Sequence, residues 1–195
     1  MKSLYCLSLA FLLGFSGFSQ QSGLKNGDII FIKNKDIKGK SLLPTGKSKF
    51  NYVGIVFFDK DVPMVYHAME PLTKCSVDNF LLLCEGKDVV VKHLAEEELL
   101  TEEVIKTMRG FAEGKVGSAY DNSLNLSNDQ MYNAEFIWKI YQAGIGVPLC
   151  IPREIKDYKV ENKAAIDFLT EAYGVEILNE KIVAVGDIFQ SQFLE

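Results

Sequence analysis

The chain is poor in the residues that bind metal ions or build disulfide scaffolds. Among 195 residues it has two histidines, His67 and His93, and four cysteines. No two cysteines form a CxxC pair, and neither histidine has a second metal-ligating residue at zinc-site spacing. The sequence therefore argues against a zinc enzyme, and we expect neither a metal nor an organic cofactor.

The cysteines that remain in the exported protein are also few. Cys6 lies in the N-terminal leader described below, which leaves Cys75, Cys84 and Cys150. Three cysteines allow at most one disulfide and leave one thiol free, so the fold does not depend on a disulfide framework. The sequence leaves open whether two of them pair, and the simplest interpretation of each is a small apolar filler.

An excess of basic residues is absent as well. The chain has 21 Lys and Arg against 26 Asp and Glu, a formal net charge of −5, which becomes −6 when Lys2 leaves with the leader. This acidity argues against nucleic acid and against an anionic membrane surface as electrostatic partners.

The first residues have the features of a signal peptide. Lys2 precedes an apolar run from Leu4 to Phe18, and the small residues Gly17 and Ser19 suit cleavage after residue 19. The run is shorter than the roughly 20 apolar residues of a membrane anchor. We therefore predict a signal peptide over 1–19, no transmembrane segment after cleavage, and a single domain over 20–195. The mature protein is expected to be exported, either to the periplasm or to the exterior.

The remaining sequence changes its hydrophobic period near its middle. Strand-like segments come first: GDIIFIK (27–33), NYVGIVFF (51–58), VPMVYHAMEP (62–71) and DVVVKHL (88–94). Residues 51–71 predict a hairpin, and the lysine-rich segment 34–49 predicts a surface loop. Helical patterns follow at 101–114, 129–146 and about 162–173, with a short strand or turn near 182–185. Strands before helices indicate the α+β class.

One helical segment, DQMYNAEFIWKIYQAGIG (129–146), carries a polar residue where it is least expected. Ala134, Ile137, Trp138 and Tyr141 recur at spacings of three and four and mark the buried face. Ser127 or Asn128 is the predicted cap, and Gly144 the predicted end. Asn133 then lies near the positive end of the helix, where a cysteine would have its thiol activated.

Several segments in this order resemble a known family. GDIIF, FNYVGIV with VYHAMEP, and YD with MYNAEFIWKIY are similar to the permuted papain-like group of the NlpC superfamily. Within it they resemble the YiiX-like exported cysteine amidases or peptidases. The resemblance runs from about Gly27 to Phe189 and includes LTEEV, AYGVEI and VAVGDIF.

The resemblance implies a permuted papain-like fold, with an antiparallel sheet or small barrel first and the helices packed on it. It also implies a strand histidine as base, a cysteine nucleophile at a helix start and an acidic residue that orients the histidine. The three positions fall on Tyr52, Asn133 and His67, and all three depart from the family pattern. No catalytic residue is therefore expected to work at the family positions.

Two functional hypotheses follow. The first is a degenerate enzyme that retains a groove for a small peptide, a cell-wall fragment or an acyl ligand, or that binds an envelope protein. The residues expected to line the groove are Tyr52, His67, Tyr120, Asp121, Asn133 and Glu135.

The alternative is an active amidase or peptidase of the cell envelope with a non-standard site around His67, in which Glu135 or Asp121 helps to activate water. A plain structural domain of the envelope is a third possibility. His93, at the end of a strand beside AEEE, is expected to be solvated.

Overall fold

A computed structural model describes residues 23–35, 45–158 and 162–195. Five antiparallel strands form its main sheet in the order β4-β3-β2-β1-β5. The strands are β1 (Ile29–Asn34), β2 (Tyr52–Asp59), β3 (Val62–His67), β4 (Thr73–Ser76) and β5 (Cys84–Lys92). A second sheet pairs β6 (Arg153–Glu154) with β7 (Lys181–Ile182).

Alternate residues of the central strands enter two separate cores. Ile29 and Phe31 of β1 belong to the main core, whereas Ile30 and Ile32 belong to a smaller core on the opposite face. Both faces are buried because the pleat directs successive side chains to opposite sides and helices cover both sides. The central strands therefore read as continuous apolar runs.

Helices pack on both faces of the sheet. The helices are α1 (Val77–Leu81), α2 (Glu102–Lys115), α3 (Asn133–Ile145), α4 (Lys163–Tyr173) and α5 (Val185–Phe189). Phe80 of α1 fills the smaller core, and α3 contributes Phe136, Ile137 and Ile140 to the main core. Among the described helices none is long and apolar enough to cross a membrane.

Two glycines permit close packing around these elements. A Cβ at Gly54 of β2 would lie 2.5 Å from Val65 Cγ1 and 2.9 Å from the Phe80 ring. A Cβ at Gly144 of α3 would lie 2.2 Å from Met108 Cγ of α2. Gly144 therefore allows α2 and α3 to approach and does not end the helix.

The hairpin of β2 and β3 and the helix capped by Thr101 are confirmed, as is the α+β class. The predicted ends of α3 are wrong. Its N-cap is Tyr132, so Asn133 is its first residue, and Gly146 ends it with a φ of 73° in the left-handed region. The polar loop before Tyr132 stays non-helical because its own side chains bind its backbone, beginning with Asp121.

Two strand predictions need correction. Residues 73–76 form β4, which the sequence analysis did not predict, and β5 begins at Cys84 instead of Asp88. Of the predicted loop 34–49, residues 36–44 lie outside the described residues, as does the whole predicted signal peptide.

Candidate functional site

Asn133 lies where strand β3 stops pairing with β2. The ladder between these strands runs from Asp59 to Ile55, two residues short of Val53. There the Asn133 carboxamide replaces a strand partner: its Oδ1 accepts from Val53 N at 2.8 Å, and its Nδ2 donates to Val53 O at 2.7 Å. A side-chain amide has the donor and acceptor of a peptide group, so it completes the ladder. Asn133 is 5% exposed, and its amide is fully used in fixing α3 to the sheet.

Tyr52 and His67 meet on the other side of this junction. Tyr52 Oη lies 2.9 Å from His67 Nδ1 and donates to Ala68 O at 2.7 Å. Both rings pack near Phe80, in the smaller core under α1. The structure thus brings Tyr52 and His67 together, while Asn133 bonds the backbone of Val53 and neither of those side chains.

The second ring nitrogen of His67 has a partner that sequence analysis missed. Cys75 Sγ of β4 lies 3.4 Å from His67 Nε2. Because the Tyr52 hydroxyl proton goes to Ala68 O, the hydrogen-bond pattern assigns the His67 proton to Nδ1 and leaves Nε2 to accept from the thiol. The chain of bonds runs from Cys75 through His67 and Tyr52 to Ala68.

Burial keeps this chain of bonds uncharged. Desolvation lowers the pKa of His67 to about 4 and raises the pKa of the Cys75 thiol to about 11. Burial also raises the pKa of Tyr52. The resting arrangement is therefore a neutral thiol, a neutral imidazole and a neutral phenol.

The two carboxylates expected near the site bind other groups. Asp121 Oδ1 accepts from Ser123 N at 2.7 Å, and its Oδ2 accepts from Asn125 N at 2.9 Å. Asp121 therefore organises the loop before α3.

Glu135 acts at the start of α3. Its Oε2 accepts from Tyr132 N at 3.2 Å, and Lys139 Nζ lies 2.8 Å from its Oε1 as an ion pair. Burial raises the pKa of Glu135 to about 7, against the opposing effect of Lys139. Since Tyr52 and Cys75 occupy both nitrogens of His67, neither carboxylate assists that ring.

Five of the six residues expected to line a groove are buried: Tyr52, His67, Asp121, Asn133 and Glu135. Tyr120 is half-buried and forms a parallel bridge with Met131. Tyr120 is also close enough to Tyr52 to help raise its pKa. It is the member of the set that a ligand could reach without displacing the others.

Cys75 could have been found from strand register. In the structure Val65 pairs with Cys75, and His67 pairs with Thr73. Alternate residues share a face, so a β4 strand returning after the 68–72 turn places Cys75 diagonally beside His67. Because no strand was predicted over residues 73–76, the contact was missed. Cys75, Cys84 and Cys150 are all free thiols.

His93, which was expected to be solvated, is only partly exposed because it contacts a buried carboxylate. His93 Nδ1 lies 2.8 Å from Asp28 Oδ1, with 35% of the His93 side chain and 3% of the Asp28 side chain exposed. The contact joins the start of β1 to the end of β5, and no short sequence pattern links residues 65 positions apart.

An antiparallel sheet that comes first in the chain, with a later helix starting at the edge of its second strand, defines a permuted papain-like protein. More particularly, the chain belongs to the family of permuted papain-like amidases, YaeF/YiiX, C92 family, whose model matches residues 23–191.

Two Escherichia coli relatives support the assignment. The uncharacterized protein YiiX of strain K12 is 25% identical over 186 residues, which are 95% of this chain and 90% of YiiX. A crystal structure of YiiX from O157:H7, titled a metalloprotein, has a TM-score of 0.77 and 25% identity. The match covers 88% of this chain and 94% of that one.

Within residues 23–35, 45–158 and 162–195, no three His, Cys, Asp or Glu side chains form a group that could hold a metal ion.

Proposed function

We propose that this chain is a catalytically degenerate member of the permuted papain-like amidase family, which binds an amide-bearing ligand without cleaving it. The observation that carries the proposal is the double hydrogen bond of Asn133 to Val53. The residue at the family's nucleophile position thus holds the helix to the sheet.

Asn133 cannot replace a thiolate as nucleophile. The lone pair of an amide nitrogen is delocalised, and here both polar atoms of the side chain are engaged with the backbone. In a hydrolase triad, loss of the nucleophile alone lowers kcat by about 10⁶. Any family reaction through this position would be reduced on that scale.

Tyr52 is equally unsuited to the role of the family histidine. Its phenol donates to Ala68 O, and burial raises its pKa further above the usual value near 10. A general base works best with a pKa near the ambient pH. Tyr52 therefore does not act as a general base at neutral pH.

The proposed ligand is a small peptide, a cell-wall fragment or an acyl compound of the cell envelope. Membership of an amidase family supports an amide-bearing ligand, and the half-buried Tyr120 beside Tyr52 supports its position. The signal-peptide pattern of residues 1–19 supports an exported protein, in the periplasm or outside the cell. An envelope protein is the alternative partner.

The decisive experiment restores the family residues. The variant Tyr52→His, His67→Glu, Asn133→Cys and the natural mature protein are treated with a thiol-reactive amidase probe and a panel of cell-wall peptides. We expect the probe to label residue 133 and cleavage to occur in the triple variant only. A second triple variant with Asn133→Ser is the matched control, because it also loses the amide bonds to Val53.

The endogenous thiol beside His67 needs its own control. Adding Cys75→Ser to both triple variants ensures that labelling is assigned to residue 133. Binding of the same peptides to the natural protein is measured by calorimetry, with Tyr120→Ala as the variant expected to weaken it. Cleavage by the natural protein would overturn the proposal.

A second candidate function is a hydrolase that uses Cys75. The observation that favours it is the line of Cys75 Sγ, His67 and Tyr52 Oη, with contacts of 3.4 Å and 2.9 Å. This is a nucleophile, a base and an orienting group in the order of a papain-like triad. The shifted pKa values oppose it, because transfer of the thiol proton to His67 is unfavourable in the ligand-free protein.

Two variants separate the candidates. If Cys75 is a nucleophile, Cys75→Ala abolishes turnover of an ester or amide, and Tyr52→Phe reduces it. The degenerate-enzyme proposal expects no turnover to abolish and slow alkylation of Cys75 at neutral pH. Rapid alkylation of Cys75 that His67→Gln suppresses would favour the second candidate.

A further inference from the structure

A cavity of about 230 Å³ lies beside the start of β1 and the end of β5, and its lining does not include Tyr52, His67 or Asn133. Its walls include the apolar side chains Leu94, Leu100 and Ile105. Its polar lining includes Asn26, His93 and the ion pair of Lys25 with Glu97. Its volume is below the usual range of small-molecule sites, which begins at about 300 Å³, so it limits a ligand to a small compound.

Asp28 fixes the imidazole at the edge of this cavity. Asp28 is 2% exposed, and its Oδ2 accepts from Lys25 N at 2.7 Å, so its Oδ1 remains for His93 Nδ1 at 2.8 Å. A second hydrogen bond fixes the segment before β1, because the Tyr141 hydroxyl of α3 donates to Gly27 O at 2.7 Å. The position of the carboxylate is thus set by the backbone before β1.

The bond to Asp28 determines what His93 offers to the cavity. A carboxylate only accepts, so Nδ1 of the neutral ring carries the proton and Nε2 carries a lone pair. Nε2 has no hydrogen-bond partner within the part of the chain that the structure describes. The result is an oriented acceptor, backed by a buried carboxylate and next to an apolar wall.

We infer that this cavity is a second ligand site, which binds a small neutral compound through a hydroxyl group that donates to His93 Nε2. The apolar walls receive the carbon part of the ligand, and a phenol or a short alcohol has the required chemistry. The site is separate from the Tyr52–His67–Asn133 region and does not depend on the proposed function.

The charges around the cavity favour a neutral hydroxyl compound over an ion. Four titratable groups face His93 or its backbone: Asp28, Lys25, Glu97 and Glu195. The Lys25 ammonium is already paired with Glu97, with 55% and 47% of the two side chains exposed. A carboxylate ligand would meet Asp28 and Glu97, and Lys25, the one Lys or Arg among the described residues of the lining, is already paired. A cationic ligand would have to compete with Lys25.

The test follows the two histidine rings by NMR while phenol is added to the mature protein. Phenol stays neutral at pH values below about 9, since phenolic pKa values are near 10. We expect saturable shifts of the His93 ring, while the buried His67 ring stays unchanged and serves as an internal reference. Anisole has the same ring without the hydroxyl proton, and we expect it to bind about fivefold more weakly.

Two variants place the ligand in the cavity. Ile105→Trp fills the space and should abolish the phenol shifts, whereas Val147→Trp adds the same bulk on a neighbouring surface and should leave them intact. His93→Gln keeps an N–H for Asp28 and removes the imidazole, so it assigns the resonance and should weaken phenol binding measured by calorimetry.

The comparison of phenol with anisole decides whether the hydroxyl group is recognised. Equal affinity for phenol and anisole at pH 8 would reduce the cavity to an apolar cleft and overturn the inference. Shifts of His67 in place of His93, or no saturable shift of either ring, would also overturn it.

Discussion

The two histidines of this protein occupy opposite kinds of environment. His67 is 2% exposed, and its ring nitrogens contact a phenol at 2.9 Å and a thiol at 3.4 Å. His93 is half-buried, has a buried carboxylate at 2.8 Å on one nitrogen and faces a cavity. His67 therefore has a thiol at Nε2 but a phenol instead of a carboxylate at Nδ1. His93 has a carboxylate at Nδ1, and a cavity takes the place of the thiol.

A working papain-like site needs the orienting group and the nucleophile at the same imidazole. The carboxylate or amide behind the ring fixes the tautomer and stabilises the imidazolium, and the thiol in front becomes the nucleophile. At His67 the group behind is a neutral phenol, so burial dominates and lowers the pKa of the ring to about 4. A cysteine beside a histidine is therefore not sufficient for catalysis when nothing compensates for the cost of desolvating the charged imidazole.

The largest effect should come from breaking the junction that holds the His67 region in place. Asn133→Leu leaves both backbone groups of Val53 buried without partners, and each such group costs about 1–3 kcal/mol. We expect the free energy of unfolding to fall by about 4 kcal/mol, measured by urea denaturation.

Asn51 provides a matched control for this substitution. Its Oδ1 accepts from Asn34 N at 2.7 Å, and its Nδ2 donates to Asn34 O at 3.3 Å, the same pattern at a half-buried site. Asn51→Leu should cost about half as much, because Asn51 itself is half-buried and water can take the place of its carboxamide. Equal costs would show that burial of the Val53 groups is not what makes Asn133 important.

The next largest effect should be a loss of stability in acid that is caused by His67. Its pKa is lowered from 6.5 to about 4 on folding, so the unfolded chain binds more protons between these values. The contribution to stability is fully present above pH 6.5 and is lost as the pH falls through 4. Its size is about 3 kcal/mol, from 1.36 kcal/mol per pKa unit. Unfolding curves between pH 4 and 7 should show this loss, and His67→Gln should remove it.

Glu135 makes the free energy of unfolding depend on pH with the opposite sign. Substituting Glu135 should therefore make the pH dependence that His67 causes easier to measure. Burial raises the pKa of Glu135 from 4.5 to about 7, so its contribution is present below pH 4.5 and is lost as the pH rises through 7. Glu135→Gln keeps an acceptor for Tyr132 N and should stabilise the protein at pH 8 relative to pH 4.5. We expect a relative gain of about 3 kcal/mol, from 1.36 kcal/mol per pKa unit, since the shifted pKa already contains the effect of Lys139. A variant with the same pH profile as the natural protein would contradict this assignment.

Much of the fold, including the strands and the helix that carry Tyr52, His67 and Asn133, could be predicted from sequence because it depends on local patterns. The hairpin 51–71 follows from two apolar runs on either side of a polar turn, and the helix after Thr101 follows from its cap and its apolar stripe. The contacts of Cys75 and His93 could not be predicted in the same way. Each depends on the register between strands, and β4 has only four residues, too few for its own periodic signal.

The smallest effect should come from removing the phenol that contacts His67 while the carboxylate that contacts His93 is left in place. Tyr52→Phe removes the acceptor for His67 Nδ1–H, but the ring can move its proton to Nε2 and donate to Cys75 Sγ instead. The cost should therefore be limited to about 1 kcal/mol, mainly the lost bond to Ala68 O. Nitrogen chemical shifts of the His67 ring should report the change of tautomer, while those of His93 stay constant because Asp28 still holds its Nδ1 proton. If His67 keeps its proton on Nδ1 in Tyr52→Phe, Cys75 Sγ does not accept a hydrogen bond from Nε2. The position of the thiol, in addition to its raised pKa, would then make it the donor in this contact.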